Sequence, residues 1–229
     1  MRLCTARVPE GWRVRAVPLT RRTAIVIVID YGMGNVRSIV HKLGKVGVAV
    51  AASSSAADLE NASKIIIPGV GAFGAGMQHL RELDLIPTLD RCVHEAGIPV
   101  LGICLGMHLF AKASDEGGAR GLGWIDSHVR RFDFSGIDGS RRVPNFGWNT
   151  IDVKRDTQLL GGVDPDQRFY FAHSYHLDCA DPQDIVATTH YGYEYPAVVQ
   201  CGSVCGIQFH PEKSHRRGFE IVRRFATSL

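Results

Sequence analysis

Ala24-Ile25-Val26-Ile27-Val28-Ile29-Asp30 is an unbroken, mostly β-branched run ending at an acid. A strand that alternated between core and water would alternate in polarity. This one does not, so it reads as buried on both faces, the mark of a parallel sheet covered by helices. Tyr31-Gly32-Met33-Gly34-Asn35 then turns the chain. Asn35 is placed to cap a helix whose apolar positions Val36, Ile39, Val40, Leu43 and Val46 recur at helical spacing. Gly44 and Gly47 mark its end.

The pattern repeats. Lys64-Ile65-Ile66-Ile67-Pro68 is a second buried strand, followed by a glycine-rich loop and helices to about Gly97. Pro99-Val100-Leu101-Gly102-Ile103 is a third, and Leu105 to Ala113 reads as helix. Strands alternating with helices predict an α/β fold with a mostly parallel central sheet. From Trp124 the segments shorten and alternate: 127–132, 149–153, 168–173, 185–190, 197–201 and 204–210. The C-terminal half is therefore expected to add antiparallel strands, with 133–141 as a loop and the last 15 residues as an amphipathic helix.

Composition excludes several functions. The 229 residues are 45% hydrophobic, too apolar for a disordered chain, and no stretch approaches the ~20 consecutive apolar residues of a membrane span. The net charge of +3 is uneven: residues 1–22 hold six arginines and one acid, a local +5, leaving −2 for the rest. The body is not basic, which argues against nucleic acid as a partner. Residues 1–22 read as a basic extension ahead of one domain, 23–229. A solvated tail or an upstream start is expected there, and an organellar transit peptide also fits. Six cysteines without a CxxC pair suit a reducing compartment, and a cytoplasmic location is the expectation. Cys201 and Cys205 flank the Gly202-Ser203 turn and could face each other across a hairpin, although buried thiols are the commoner outcome.

Chemistry concentrates in Gly102-Ile103-Cys104-Leu105-Gly106. It joins a buried strand to a helix in the form of a nucleophile elbow, G-x-Nuc-x-G, with cysteine as nucleophile. Glycines on either side leave the space so sharp a turn needs. A cysteine at a helix N-terminus also faces the positive end of the helix dipole, which favours thiolate. Such a thiol needs a base and the base an orienting group. His210 ends the run Gly206-Ile207-Gln208-Phe209, and Glu212 follows across Pro211. One sheet edge could present Cys104 and His210 together, since open α/β sheets build their sites at the carboxyl ends of strands. Gly69-Val70-Gly71-Ala72-Phe73-Gly74 matches GxGxxG, but the acid a dinucleotide site needs ~20 residues on is missing from any second strand. A tight glycine turn without ligand is the other bland reading.

Gly102-Ile103-Cys104-Leu105-Gly106-Met107 with Phe209-His210-Pro211-Glu212-Lys213-Ser214 resembles the triad class of glutamine amidotransferases. Within that class the chain is similar to glutaminase subunits of imidazole glycerol phosphate synthase. Asp30–Asn35, Pro68–Phe73, Pro144–Asn149 and Tyr170–Tyr175 support the likeness in the same order. The resemblance implies a flavodoxin-like fold and a catalytic triad of Cys104, His210 and Glu212. It implies an oxyanion hole from the backbone N–H groups of Val70 and Leu105, and glutamine contacts at Gly69, Gly71, His108, His173, Ser174 and Tyr175. It places Asn35, Trp148 and Lys213 near the ammonia exit and partner interface. Glutamine is the implied substrate and a (β/α)8-barrel cyclase the implied heterodimer partner, with no cofactor and no metal. For His173 and Trp148, plain core packing is an open alternative. The chain departs from the family at two places: His108 stands where a glutamine is usual, and Asn145-Phe146 where His-Met is usual. Two other functions therefore stay open: a paralogue feeding ammonia to a sugar-amidating synthetase of surface polysaccharide assembly, and a degenerate, non-catalytic regulatory subunit.

Overall fold

In the computed structural model, residues 25–137 and 141–228 are described, and the arginine-rich segment 1–22 lies outside them. The chain runs β1 (Val26–Ile29), α1 (Val36–Lys45), β2 (Val50–Ser53), α2 (Ala56–Asn61), β3 (Lys64–Gly69) and α3 (Phe73–Glu82). It continues through α4 (Ile86–Asp90), a π-helical turn (Arg91–Glu95), β4 (Val100–Cys104) and α5 (Leu105–His108). The second half holds β5 (Ala113–Ser114), β6 (Ser127–Arg131), β7 (Asn145–Asn149), β8 (Asp152–Val153), β9 (Phe169–His173) and β10 (Tyr175–Cys179). β11 (Ile185–Tyr191), β12 (Tyr193–Cys201), β13 (Val204–Ile207) and α6 (His215–Ser228) complete it.

Eight strands form the main sheet in the order β2-β1-β3-β4-β13-β12-β11-β8. The first five in that order run parallel, as the unbroken apolar runs predict: β1, β3 and β4 are buried along their whole length. β12, β11 and β8 are added antiparallel, and two smaller sheets, β10-β6-β5 and β7-β9, cover the C-terminal half. Two apolar clusters fill the space on the two faces. One joins β3 to α3 through Ile65, Ile67, Phe73, Met77 and Leu80. The other joins β4 and β13 to α1 and α6 through Leu101, Ile207, Ile39, Leu43, Phe219, Val222 and Phe225.

Several local expectations are corrected. Asn35 occupies the N-cap position of α1, but its side chain makes no capping bond. The helix expected over 105–113 is only one turn long. The carbonyls of Leu109, Phe110 and Ala111 accept from the N–H groups of Leu122, Ile125 and Gly123, so they are committed to a neighbouring segment. β2, β10 and β7 were not anticipated in these positions: the segment read as one strand over 149–153 is the end of β7 and the short β8. Cys205 carries a free thiol and lies opposite Gln200, so it forms no bridge to Cys201.

The elbow is where packing is tightest. A Cβ on Gly106 would lie 1.8 Å from the Ile67 carbonyl oxygen, and one on Gly102 would lie 2.6 Å from the Gly106 carbonyl group. These are backbone atoms of the sheet and of α5, which cannot swing aside as a side chain would. Gly106→Ala should therefore destabilise the fold by about 3 kcal/mol or more. Gly44→Ala should be close to neutral, because a Cβ there meets nothing within 4 Å. Denaturant midpoints of the two variants provide the comparison.

Candidate active site

β4 and β13 are parallel neighbours with Ile103 beside Ile207, so the residues that follow each strand emerge at one edge. Cys104 ends β4 with φ 53° and ψ −110°, a left-handed conformation that a cysteine adopts only under constraint. This strained turn joins the end of β4 directly to α5. His210 follows β13, with its backbone N–H bonded to the Tyr170 carbonyl at 2.8 Å. A short 3₁₀ turn, Pro211–Lys213, brings Glu212 back beneath the imidazole, and His210 Nδ1 lies 3.0 Å from Glu212 Oε1. The carboxylate accepts, so Nδ1 carries a proton. Cys104, at the end of the adjacent strand, acts electrostatically on the same ring. Of the three residues expected to form a triad, His210 and Glu212 are hydrogen-bonded, and Cys104 ends the neighbouring strand.

Their electrostatics follow from burial and pairing. Burial alone would push the His210 pKa down; its interactions with Cys104 and Glu212 outweigh it and hold the pKa up at about 10. Burial likewise opposes ionisation of Glu212, but the bond to His210 keeps its pKa below the ordinary value. The geometry thus favours a protonated imidazole beside the Glu212 carboxylate.

Residues outside the expected set hold this turn in place. The Ser214 hydroxyl donates to the His210 carbonyl at 2.6 Å and accepts from the Tyr170 N–H at 2.9 Å. Lys42 of α1 donates to the Glu212 carbonyl. Gln208, fully buried, points its amide at Cys104 Sγ, 3.9 Å away, and its Oε1 lies 2.8 Å from His108 Nε2. Lys42 has no sequence signal, since it is 170 residues from its acceptor. Gln208 had one, being two residues before His210 on the same strand end.

The glycine loop packs directly on the elbow. Gly69 lies beside Cys104 in the sheet, and a Cβ there would meet Leu105 and the Gly106 N–H within 2.7 Å. The loop is pinned on both sides of Val70. The Tyr31 hydroxyl donates to the Pro68 carbonyl at 2.7 Å, and the Phe73 N–H donates to Glu116 Oε2 at 2.7 Å. Between these anchors Gly71 has φ 128°. Glu116 also bears on the GxGxxG reading. A dinucleotide phosphate would need the first N–H groups of α3, and a carboxylate already occupies that position.

His173 is buried, and both its ring nitrogens are engaged within the protein. Nδ1 lies 2.7 Å from the Tyr175 carbonyl, so it is the protonated nitrogen, and Nε2 accepts from the Tyr195 hydroxyl at 3.1 Å. Burial lowers its pKa to about 3, so the ring is neutral. Asn145, one of the two departures from the family, donates to that same hydroxyl at 3.2 Å. Ser174 and Tyr175 follow His173 at the junction of β9 and β10. Trp148 is 41% exposed and not core. It stacks on His215 at 4.8 Å and packs edge-on against Tyr170, over which Lys213 places its ammonium at 5.8 Å. Asn35 is exposed at the start of α1, on a different segment.

The pattern characteristic of class-I glutamine amidotransferases matches residues 27–229. The chain belongs to that family. An imidazole glycerol phosphate synthase subunit HisH 2 from Pseudomonas aeruginosa is 43% identical over 201 residues, which cover 88% of this chain and 98% of the relative. A subunit of the same name from Methanococcus maripaludis is 39% identical with the same coverage, and a subunit HisH from Leptospira borgpetersenii is 36% identical over 200 residues. Among solved structures, PurLQS from Thermotoga maritima superposes with a TM-score of 0.67 at 19% identity, covering 88% of this chain and 96% of its own. A putative GMP synthase subunit from Thermoplasma acidophilum gives 0.64 at 18%, covering 88% and 92%. At that identity these two speak for the fold, a mostly parallel sheet flanked by helices.

Removing the sulfur should be readable on the imidazole. In Cys104→Ala the His210 pKa should fall from its raised value, because burial then opposes protonation with Glu212 alone to offset it. NMR titration of the histidine ring resonances in the two proteins measures the difference. The stabilisation carried by His210 should be fully present below its unfolded value near 6.5 and lost as the pH rises toward about 10.

Proposed function

We propose that this chain is the glutaminase subunit of an imidazole glycerol phosphate synthase, acting in the cytoplasm on glutamine and delivering ammonia to a (β/α)8-barrel cyclase. The observation that carries the reading is the elbow cysteine, turned through a left-handed conformation at the end of β4, beside the strand whose end delivers a histidine that a buried glutamate orients. Residues 23–229 make the amidotransferase unit, and the reaction requires no cofactor.

Cys104 Sγ attacks the carboxamide carbon of glutamine, and the tetrahedral oxyanion is received by the N–H groups of Leu105 and Val70. Each such donor is typically worth ~3–4 kcal/mol of barrier. His210 gives its proton to the departing nitrogen, ammonia leaves, and a thioester remains. His210 then takes a proton from water, the hydroxide adds to the thioester, and glutamate is released with Cys104 restored. Glu212 keeps the imidazole in one orientation and stabilises its charged form, which is the role of a buried carboxylate behind a catalytic histidine. The loop anchored by Tyr31 and Glu116 leaves only the peptides around Val70 and Gly71 free to turn, which suits an oxyanion donor that is switched by the partner.

Ammonia in neutral water is mostly ammonium and has no lone pair to donate, so a sheltered route to an acceptor enzyme is needed. Val70, Phe146 and Trp148 are 51%, 66% and 41% exposed, large apolar side chains suited to burial against such a partner. Trp148, Tyr170 and Lys213 cluster together, and Asn35 is assigned to the same proposed exit. There the ammonia would convert a phosphoribulosyl formimino carboxamide ribonucleotide to imidazole glycerol phosphate and an aminoimidazole carboxamide ribonucleotide.

The co-purified complex of this chain with the cyclase tests the reading. Cys104→Ala should abolish glutamate release, lowering it by at least ~1,000-fold, while ammonium salts at high pH still support the cyclase. Loss of both activities would point to a purely structural defect. Deletion should impose a histidine requirement. Growth without histidine, together with a defect in surface polysaccharide, would transfer the assignment to the sugar-amidating paralogue. Glutamate release unchanged in Cys104→Ala would remove the thioester mechanism.

A further inference from the structure

His108 is the last residue of α5, one turn beyond the nucleophile, and it is 5% exposed. Burial, with a smaller contribution from His176, lowers its pKa to about 4 against the opposing bond to Gln208. The ring is therefore neutral and owns a single N–H. Gln208 Oε1, 2.8 Å from Nε2, can only accept, so that proton sits on Nε2 and is spent on Gln208.

An amide is rigid: fixing its oxygen fixes its nitrogen. With Oε1 anchored on His108, Gln208 Nε2 is directed at Cys104 Sγ at 3.9 Å. The rest of Gln208 has nowhere to go. It is fully buried, and its backbone N–H is bonded to the Ala197 carbonyl at 2.8 Å. Turned by half a rotation, the amide would aim its carbonyl oxygen at the sulfur and repel a thiolate. The N–H of His108 decides between these two orientations.

We propose that His108 is a positioning residue that acts through Gln208, fixing the amide so that its N–H group supports the Cys104 thiolate. The inference rests on Cys104 being the nucleophile. It gives the unusual histidine of this chain a role on the sulfur side of the site in place of a direct donor to substrate glutamine.

The complex with the cyclase provides the test, using His108→Phe and Gln208→Leu, which keep bulk and remove the N–H and the amide. Two quantities are measured: the pH dependence of iodoacetamide alkylation at the Cys104 peptide, followed by mass spectrometry, and kcat and KM for glutamine. Each variant should move the alkylation midpoint up by about one pH unit and lower kcat about tenfold, with KM changed less than about threefold, as befits one lost charge-assisted hydrogen bond. The double variant should be little worse than either single one. His108→Gln, which retains a donor, should stay closer to the parent midpoint. A raised KM with an unmoved midpoint would overturn the proposal and make His108 a substrate contact. A second measurement needs no substitution: nitrogen NMR of the unmodified protein should find His108 protonated on Nε2, and the Nδ1–H form would overturn it equally. Glutamine turnover that survives Cys104→Ala would bring down the nucleophile reading and this one with it. An unmoved midpoint beside an inactive Cys104→Ala would remove the His108 role alone.

Discussion

The close approach of α5 to β3 at Gly106 is the constraint on which the site depends. Backbone meets backbone there, with no volume for a side chain. Because α5 lies so close to the sheet, Cys104 must turn through a left-handed conformation to connect β4 to it. That turn lies at the sheet edge, where the end of β13 delivers His210. The strain at Cys104 is held by the burial of β3, β4 and β13 around it.

Around the sulfur the protein arranges charge in concentric order. His210 is its neighbour, Glu212 stands behind His210, and Ser214 and Lys42 fix the turn that carries both. These groups come from the two ends of the chain. Lys42 lies on the first helix, and Ser214 precedes the last. The cluster of Cys104, His210 and Glu212 therefore draws its supports from both halves of the chain. Such a site is rigid where proton transfer needs fixed geometry. The glycine loop beside it is tied at both ends, to Tyr31 and to Glu116.

Much of this was legible in the sequence, for identifiable reasons. Strands buried on both faces announce themselves as continuous apolar runs, so β1, β3 and β4 could be read directly. The elbow glycines at 102 and 106 stated a packing requirement that the structure displays. β2 escaped because Val50-Ala51-Ala52-Ser53 is a half-exposed edge strand of small residues with no distinctive period. The length of α5 escaped because residues 105–111 are buried all round, and an evenly apolar segment carries no period to say where the helix stops. The bonds that stop it come from residues 122–125. The engagement of His108 with Gln208 spans 100 residues and depends on which nitrogen faces which oxygen, information that no local pattern holds.

The ribbon of β7 and β9 alternates in a way that has a cellular consequence. Asn145 points inward to Tyr195, while Phe146 and Trp148 on the same strand face outward. A subunit made in excess of its companion would present these rings to every chaperone, protease and neighbouring copy it met. On the proposed pairing with a cyclase, quality control would then favour matched production of the two polypeptides.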